Sequence, residues 1–354
     1  MALEAAFRAH IGSFGLDVVF ATGGDTTAIL GPSGAGKTLT LRAIAGLLRP
    51  DDGRIAVDGR ALFDADAGID VPARKRRIGL VFQEYALFPH LGVVDNLAYG
   101  LRGRPRDEAD RVVRAMVDML GLDGLETRRP AELSGGQRQR VAVGRALAPS
   151  PDLLLLDEPF SALDAPTREA LVTEFASLRS RLEMPTVLVT HDVAEAYALA
   201  DRLLVLEGGR VLQAGDRDAV FHAPASPTVA RLVGVRNLLA GVVVSVADGS
   251  ALIDAGGLTA TVHLAGAMAG AQGTVGVRAQ DVVALPAPDD GDATLVREVD
   301  AGIRRTLALR LPGGGELLAE LDRELSRKLG RTLPQRWRVR IADGAAMAWQ
   351  GHSP

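Results

Sequence analysis

The sequence predicts an α/β domain with a mostly parallel sheet, followed by a smaller all-β region. Residues 2–232 alternate short β-branched or aliphatic runs with longer helix-like segments, the pattern of strands joined by helical crossovers. After residue 237 the helical segments give way to short alternating runs separated by Gly and Asp turns. A length of 354 residues has room for about two domains at ~150 residues each.

In chain order, the runs at 27–30, 78–82, 153–156, 186–190 and 203–206 read as strands. Segments 37–48, 106–120, 136–147 and 167–183 read as helices with Pro and Gly punctuation at their ends. Pro224 and Pro227 lie in a polar stretch over 222–234, which sets the expected domains at 1–234 and 235–354. Beyond it, 239–246, 249–253, 258–263, 273–279 and 282–285 are strand candidates. A second set at 293–299, 304–311, 316–320 and 336–341 follows the turn-rich 286–292. Two small barrel-like β units, about 237–286 and 293–348, are the expectation.

Composition narrows the chemistry. Hydrophobic residues at 47% and charged residues at 24% are ordinary globular usage, and 9 Phe, 3 Tyr and 2 Trp leave the cores to aliphatic side chains. The formal net charge of −4 provides no broad positive field for nucleic acid or an anionic membrane, so an anionic ligand needs a local site. The absence of Cys excludes disulfides, thiolate metal sites and thiol nucleophiles, and fits a reducing compartment. Apolar runs such as 153–156 and 242–244 fall far short of the ~18–20 residues that span a bilayer. Glu4, Arg8 and His10 interrupt the start where a signal peptide needs an apolar core, so a soluble, cytoplasmic chain is expected.

Gly31, Pro32, Ser33, Gly34, Ala35, Gly36, Lys37 and Thr38 match the G-x-x-x-x-G-K-[ST] phosphate loop, placed between a strand and a helix as that pattern requires. Glycines let backbone N–H groups converge on phosphate oxygens at the positive end of a helix; Lys37 neutralises phosphate charge and the Thr38 hydroxyl can ligate Mg2+. The apolar run 153–156 ends in Asp157 and Glu158, at the edge where ligands of α/β sheets bind. Asp157 would hold Mg2+, and Glu158 would orient or deprotonate the attacking water, because in-line phosphoryl transfer needs positioning more than covalent chemistry. Ser134, Gly135, Gly136 and Gln137 open a further helix and form a second anion nest, which one nucleotide does not need; standing alone, the turn could equally be a capped helix start.

Taken in order, these motifs resemble the nucleotide-binding subunits of ATP-binding-cassette transporters over roughly the first two-thirds of the chain. The resemblance implies a phosphate-loop ATPase domain with an inserted helical subdomain, and ATP and Mg2+ as ligands. It makes Gln83, in Val81-Phe82-Gln83, the residue that reaches metal and water, and 134–137 the signature loop. Ser161 to Asp164 would be a dimer-contact loop, and His191, in Thr190-His191-Asp192, the switch histidine at the γ-phosphate. It further implies a homodimer in which the signature loop of one subunit closes over ATP on the other. Phe14 is the candidate for stacking on adenine, with core packing as its alternative and the family's usual Tyr absent.

The stretch from Val81 to His90 and Leu91, continuing to Asn96, is similar to importer subunits that serve separate integral-membrane permeases and a periplasmic or extracellular substrate-binding protein. That places the subunit at the cytoplasmic face of the membrane, with Leu87, Phe88, Leu91 and Val93 lining a permease groove or packing in a core. The short interval between Phe14 and Gly31, the run Arg76-Arg77-Ile78-Gly79, and Gly234 through Val242 look like molybdate-import subunits, whose C-terminal oligobinding-like modules in some relatives bind the oxyanion. Sulfate, iron, polyamine and sugar importers share the architecture. Repair and chromosome-maintenance ATPases use the same loops but insert long heptad segments, and none lies between Thr38 and Ser134; translation relatives carry two ATPase units.

Overall fold

The computed structural model describes residues 2–161, 163–179, 184–264, 266–302, 304–330 and 333–351. Its contacts divide the chain into two units, Met1–Val220 and Phe221–Pro354.

In the first unit, β1 (Leu3–Ile11) and β2 (Phe14–Thr22) form a hairpin in register from Leu3 opposite Thr22 to Ile11 opposite Phe14. Leu3, Ala5, Phe7 and Ala9 are buried while Glu4, Ala6, Arg8 and His10 are exposed, the period-two alternation of a strand with one covered face. The turn needs Gly12, whose φ is +61°. There follow β3 (Thr26–Leu30), α1 (Lys37–Ala45), β4 (Asp52–Val57), β5 (Arg60–Asp64), β6 (Ile69–Asp70), β7 (Ile78–Val81), α2 (Val93–Ala98), α3 (Arg106–Met119), α4 (Gly135–Leu147) and β8 (Leu153–Asp157). The unit ends with α5 (Ala165–Arg179), β9 (Thr186–Thr190), α6 (Val193–Leu199), β10 (Arg202–Glu207), β11 (Arg210–Asp216) and the start of α7 (Arg217–His222). Residues 180–183 of the helix expected over 167–183 lie outside the described residues.

Among the described residues these strands make an eleven-stranded sheet ordered β6-β5-β4-β1-β2-β11-β10-β3-β9-β8-β7. From β10 to β7 every pairing is parallel. Strands β3, β8 and β9 are buried at every position, which is why 153–156 and 186–190 read as unbroken apolar or β-branched runs. In the other half β2 and β11 pair in parallel and every other pairing is antiparallel, so the sheet is mixed rather than mostly parallel. The cause is local: β1 and β2, and β4 and β5, are joined by two-residue turns too short for a crossover. Between β7 and β8 the chain inserts α2, α3 and α4 around a small core of Val93, Leu97, Val113, Val117, Leu120 and Val141.

Helix α1 stops at Ala45, short of the expected 48. Gly46 adopts φ +77° and returns its N–H to Ala43, and the buried Arg76 guanidinium donates to the carbonyls of Ala43 at 2.9 Å, Ile44 at 2.8 Å and Val71 at 2.7 Å. A Cβ at Gly46 would stand 2.5 Å from Arg76 Nε, so the glycine makes room for the arginine that caps the helix.

In the second unit α8 (Pro227–Leu232) precedes β12 (Asn237–Ala247), β13 (Ser250–Asp254), β14 (Thr259–His263), β15 (Gln272–Val277), β16 (Val282–Pro286), β17 (Ala293–Asp300), β18 (Arg305–Arg310), β19 (Glu316–Leu321), α9 (Arg323–Leu329), β20 (Arg336–Ile341) and β21 (Met347–Gln350). Among the described residues, two five-stranded antiparallel sheets result, β14-β13-β12-β15-β21 and β16-β20-β17-β18-β19. The all-β character is as expected; the division at 286–293 is not. Strand β16 joins the later strands, β21 returns to the earlier ones, and a single apolar cluster runs from Leu239 through Leu307 to Trp337.

The stretch expected as a boundary, 222–234, also differs, because it belongs to this second unit. Trp349 Nε1 donates to Pro224 O at 2.8 Å, Arg278 donates to Phe221 O and Val233 O, and Ala230 and Val235 pack with Trp349. A late tryptophan supplies the partner that sequence proximity could not reveal. Among the described residues no helix is long and apolar enough to cross a membrane.

Candidate active site

Four adjacent parallel strands, β3, β9, β8 and β7, end at one edge of the sheet, and each is followed by a residue singled out from sequence. After β3 comes the loop 31–36 leading into α1; after β9, His191; at the end of β8, Asp157 and then Glu158; after β7, Gln83. Residues far apart in sequence are thereby gathered where open α/β sheets bind ligands.

Gly34 and Gly36 of the loop have φ of +79° and +103°, a region that other residues enter only at a cost. Gly31 is required by proximity: a Cβ there would lie 2.1 Å from Leu206 O. Lys37, 5% exposed, folds back to donate to Gly31 O at 2.9 Å and Pro32 O at 3.0 Å, with Glu158 Oε1 at 3.8 Å from its Nζ. Burial lowers its pKa, and the charges of Glu158 and Asp157 oppose that shift. An anion in the loop would compensate this ammonium directly.

Thr38 Oγ1 donates to Asp157 Oδ1 at 2.9 Å. Burial raises the Asp157 pKa, against the hydrogen bond from Thr38. No cluster of three or more acidic or imidazole side chains among the described residues forms a metal centre by itself. The hard-oxygen pair of Thr38 and Asp157 fits a cation such as Mg2+ that shares its ligands with phosphate and water. When bound, such a cation would neutralise phosphate charge.

Glu158 sits at φ +44°, a strained conformation for a non-glycine residue that is held from both sides. Its N–H donates to Val189 O at 3.0 Å and its carbonyl accepts the Ser161 hydroxyl at 2.9 Å. This turns the side chain toward its neighbours: His191 Nδ1 lies 3.2 Å from Oε2, and Gln83 Nε2 donates to the same oxygen at 3.4 Å. A carboxylate between an imidazole and an amide, beside a buried ammonium, is an arrangement suited to orienting a water and taking its proton.

A cleft of about 330 Å³ is lined by Phe14, Ser33, Gly34, Ala35, Gly36, Lys37, Thr38, Leu39, Gln83 and Glu158. Phe14 reaches it because its ring lies against the loop, 3.2 Å from where a Gly36 Cβ would be, while also packing on the core behind. Leu39 was not anticipated; its position two residues past Lys37 was the available signal.

Ser134, Gly135, Gly136, Gln137 and Asp164 do not line the cleft. Ser134 caps α4, its hydroxyl accepting the Gln137 N–H at 3.2 Å while Gln137 Oε1 accepts the Ser134 N–H at 2.9 Å. A Cβ on Gly135 would meet Leu163 at 2.7 Å and one on Gly136 would meet Leu171 at 2.8 Å, so within one chain this turn is a capped, tightly packed helix start. Asp164 accepts from the Thr167 N–H and hydroxyl at the start of α5, and these bonds lower its pKa. Ala162, in the loop with it, lies outside the described residues.

Two of the features read as solute-related have structural work. Arg76 caps α1, as above. The Asn237 amide donates to Leu318 O at 2.8 Å and accepts from Leu318 N at 2.7 Å, joining β12 to β19 as a backbone segment would.

Comparison with known proteins agrees with this layout. The ABC transporter family profile matches residues 20–161. A molybdenum import ATP-binding protein of Paramagnetospirillum magneticum is 47% identical over 223 residues, covering 63% of this chain and 61% of that protein. A sulfate/thiosulfate import ATP-binding protein of Chromobacterium violaceum is 52% identical over 218 residues, covering 61% and 58%. A molybdenum import ATP-binding protein of Rhizobium etli is 43% identical over 245 residues, covering 69% and 68%. A solved ATP-binding cassette, in a dimeric post-hydrolysis state with ADP and Pi, superposes with TM-score 0.50 at 29% identity, covering 61% of this chain and 99% of that one. The match thus spans only 61% and 60% of the length of two molybdenum import relatives. With its strand-end residues in place and this degree of identity across importer subunits, the chain belongs to the ATP-binding cassette transporter family.

Proposed function

We propose that the chain is the ATP-hydrolysing subunit of an importer, acting as a homodimer at the cytoplasmic face of the membrane. The observation that carries this reading is the Glu158 carboxylate, held within 3.2 Å of His191, 3.4 Å of Gln83 and 3.8 Å of Lys37 at one end of the phosphate loop. In this reading Lys37 and the loop amides of 31–36 hold the ATP phosphates, while Thr38, Gln83 and Asp157 hold Mg2+. Glu158 activates water and His191 fixes Glu158 and the γ-phosphate. The 134–137 turn, absent from its own cleft, serves the cleft of a second copy. A helix start of this kind can offer backbone N–H groups to an anion.

Phe14 then carries the adenine. Phe14→Ala should weaken ATP binding by about 1–3 kcal/mol, the usual worth of a base–aromatic stack, and Phe14→Trp should retain affinity. Titration with a fluorescent ATP analogue reads it; unchanged affinity in the Ala variant would assign Phe14 to the core alone.

Permease subunits would dock near Phe88, whose ring stacks on Tyr99 at 4.0 Å between centroids and lies under Arg145 at 5.2 Å. Asn96, fully buried, pins this loop through Phe88 N and the carbonyls of Phe88, Leu91 and Gly92. Phe88→Asp should abolish transport in the assembled complex while sparing most ATPase of the free subunit. Parallel loss of both would favour plain core packing.

For the solute, we propose an oxyanion, with molybdate first and sulfate second, delivered by an extracytoplasmic binding protein. Similarity to relatives named for each supports the class. A sugar remains the competing class, since a trehalose/maltose import protein of Thermococcus litoralis is 46% identical over 213 residues. An oxyanion site in the C-terminal domain would have to do without Asn237, already committed to Leu318. The test is which of molybdate, sulfate and maltose stimulates ATPase of the complex reconstituted with its permease and binding protein.

A further inference from the structure

Behind the cleft lies an ion pair that belongs to none of the nucleotide motifs. Glu195, on α6, is 6% exposed. Its Oε2 accepts the Thr190 hydroxyl at 2.6 Å, and the same Thr190 oxygen accepts the Asp192 N–H at 3.0 Å. These two residues flank His191, so one buried carboxylate braces the loop on both sides of the imidazole. Glu195 Oε1 faces Arg168 Nε of α5 at 3.8 Å. Arg168 in turn donates to Phe160 O at 3.3 Å and Leu163 O at 3.0 Å, in the segment between Glu158 and Asp164.

A carboxylate this deeply buried gives up much of its hydration, and it persists where paired and hydrogen-bonded. Burial raises the Glu195 pKa, while Thr190 and Arg168 favour the charged form. Neither Glu195 nor Arg168 lines the cleft. The pair is also more than helix packing: Asp192 already caps α6, accepting from Ala194 N at 2.7 Å and Glu195 N at 3.1 Å, so the helix start does not need the Glu195 side chain.

We infer that Glu195 and Arg168 are positioning residues that couple the His191 loop to the Phe160–Leu163 segment, so that His191 and Asp164 are set by one shared contact. Movement of the segment carrying Asp164 is then felt at the histidine that touches Glu158. This rests on the ATP-hydrolysing reading above for its consequence, not for its geometry.

The experiment uses the full chain and three variants, Glu195→Gln, Arg168→Met and the double variant. First, the nucleotide-free protein is labelled at histidine and the ring signal of His191 is identified by its loss in His191→Ala. Glu195→Gln and Arg168→Met should shift that signal in the same direction, and the double variant should match either single. Second, in steady-state ATPase each single variant should lose roughly 10- to 100-fold in kcat, the usual cost of removing an outer partner of a functional group. KM for ATP should change less than about twofold and the double variant should lose no more than the worse single, since members of one unit are not additive. Glu195→Asp, which keeps the charge one carbon shorter, should recover part of kcat, and it replaces Glu195→Gln if that variant does not fold. An unmoved His191 signal would overturn the coupling, as would additive losses or a KM effect without a kcat effect. A wild-type chain that does not hydrolyse ATP would remove the proposed function while the His191 signal still tested the contact.

Discussion

Glu158→Gln should reduce ATP turnover by about 10²- to 10⁴-fold, the range for loss of a general base, while leaving ATP binding intact. Gln is isosteric, so the φ of +44° and the backbone bonds to Val189 and Ser161 are retained, and His191 and Gln83 keep a neutral neighbour in place of the carboxylate. What disappears is the proton acceptor and one negative charge 3.8 Å from Lys37. Removing that charge also lessens repulsion toward the γ-phosphate, so ATP should be held at least as tightly. If closure of two chains over ATP precedes hydrolysis, the variant should accumulate as an ATP-bound pair, visible by light scattering with Mg-ATP and lost with ADP. A Gln variant that turns over ATP like the wild type would remove Glu158 from the role assigned to it.

Arg76→Leu should be strongly destabilising, at about 3–5 kcal/mol. Arg76 is 1% exposed and is among the largest fully buried side chains. Leu would remove the guanidinium donor from the carbonyls of Ala43, Ile44 and Val71, leaving Ala43 only the Gly46 N–H, and would take the positive charge from the end of α1. Since α1 begins at Lys37, ATP affinity should fall with stability. Arg76→Lys should recover only a fraction, because one ammonium cannot serve three carbonyls spread around a planar fork. Thermal unfolding should show a downward shift on the order of 10 °C for the Leu variant. A shift within a degree or two would mean that water replaces the arginine without cost.

These two predictions divide along what was legible in the sequence. Glu158 was visible beforehand because phosphoryl transfer restricts residue type at fixed places, a glycine loop before a helix and carboxylates at the end of an apolar strand, whereas His191 was marked only by the family resemblance. Burial on both faces also left its mark in the unbroken runs 153–156 and 186–190. Arg76 was visible only as one member of the run Arg76-Arg77-Ile78-Gly79; the two carbonyls by which it caps α1 lie over thirty residues away in sequence. Glu195 and Arg168 carry no local pattern either, because they sit on different helices and only the fold brings them together. The second unit was readable as short strands, but strand exchange was not, since β16 and β21 alternate like their neighbours and only the shared core around Trp337 decides which sheet each joins. The segment 222–234 looked like a linker because Pro and polar residues dominate it, whereas Trp349 and Arg278 make it part of the β unit.

The central claim is that the cleft is half of a composite site whose other half is the 134–137 turn of a second copy. It is tested by mixing two inactive variants of the full chain. Lys37→Ala keeps a sound signature turn and lacks the phosphate loop's ammonium; Ser134→Arg keeps a sound cleft and blocks the turn. Each alone should show no Mg-ATP hydrolysis above background, and the mixture should regain activity, because one of the two sites in a mixed pair has every required group. A mixture as inactive as its components, or a Ser134→Arg chain that hydrolyses ATP unaided, would contradict the composite site.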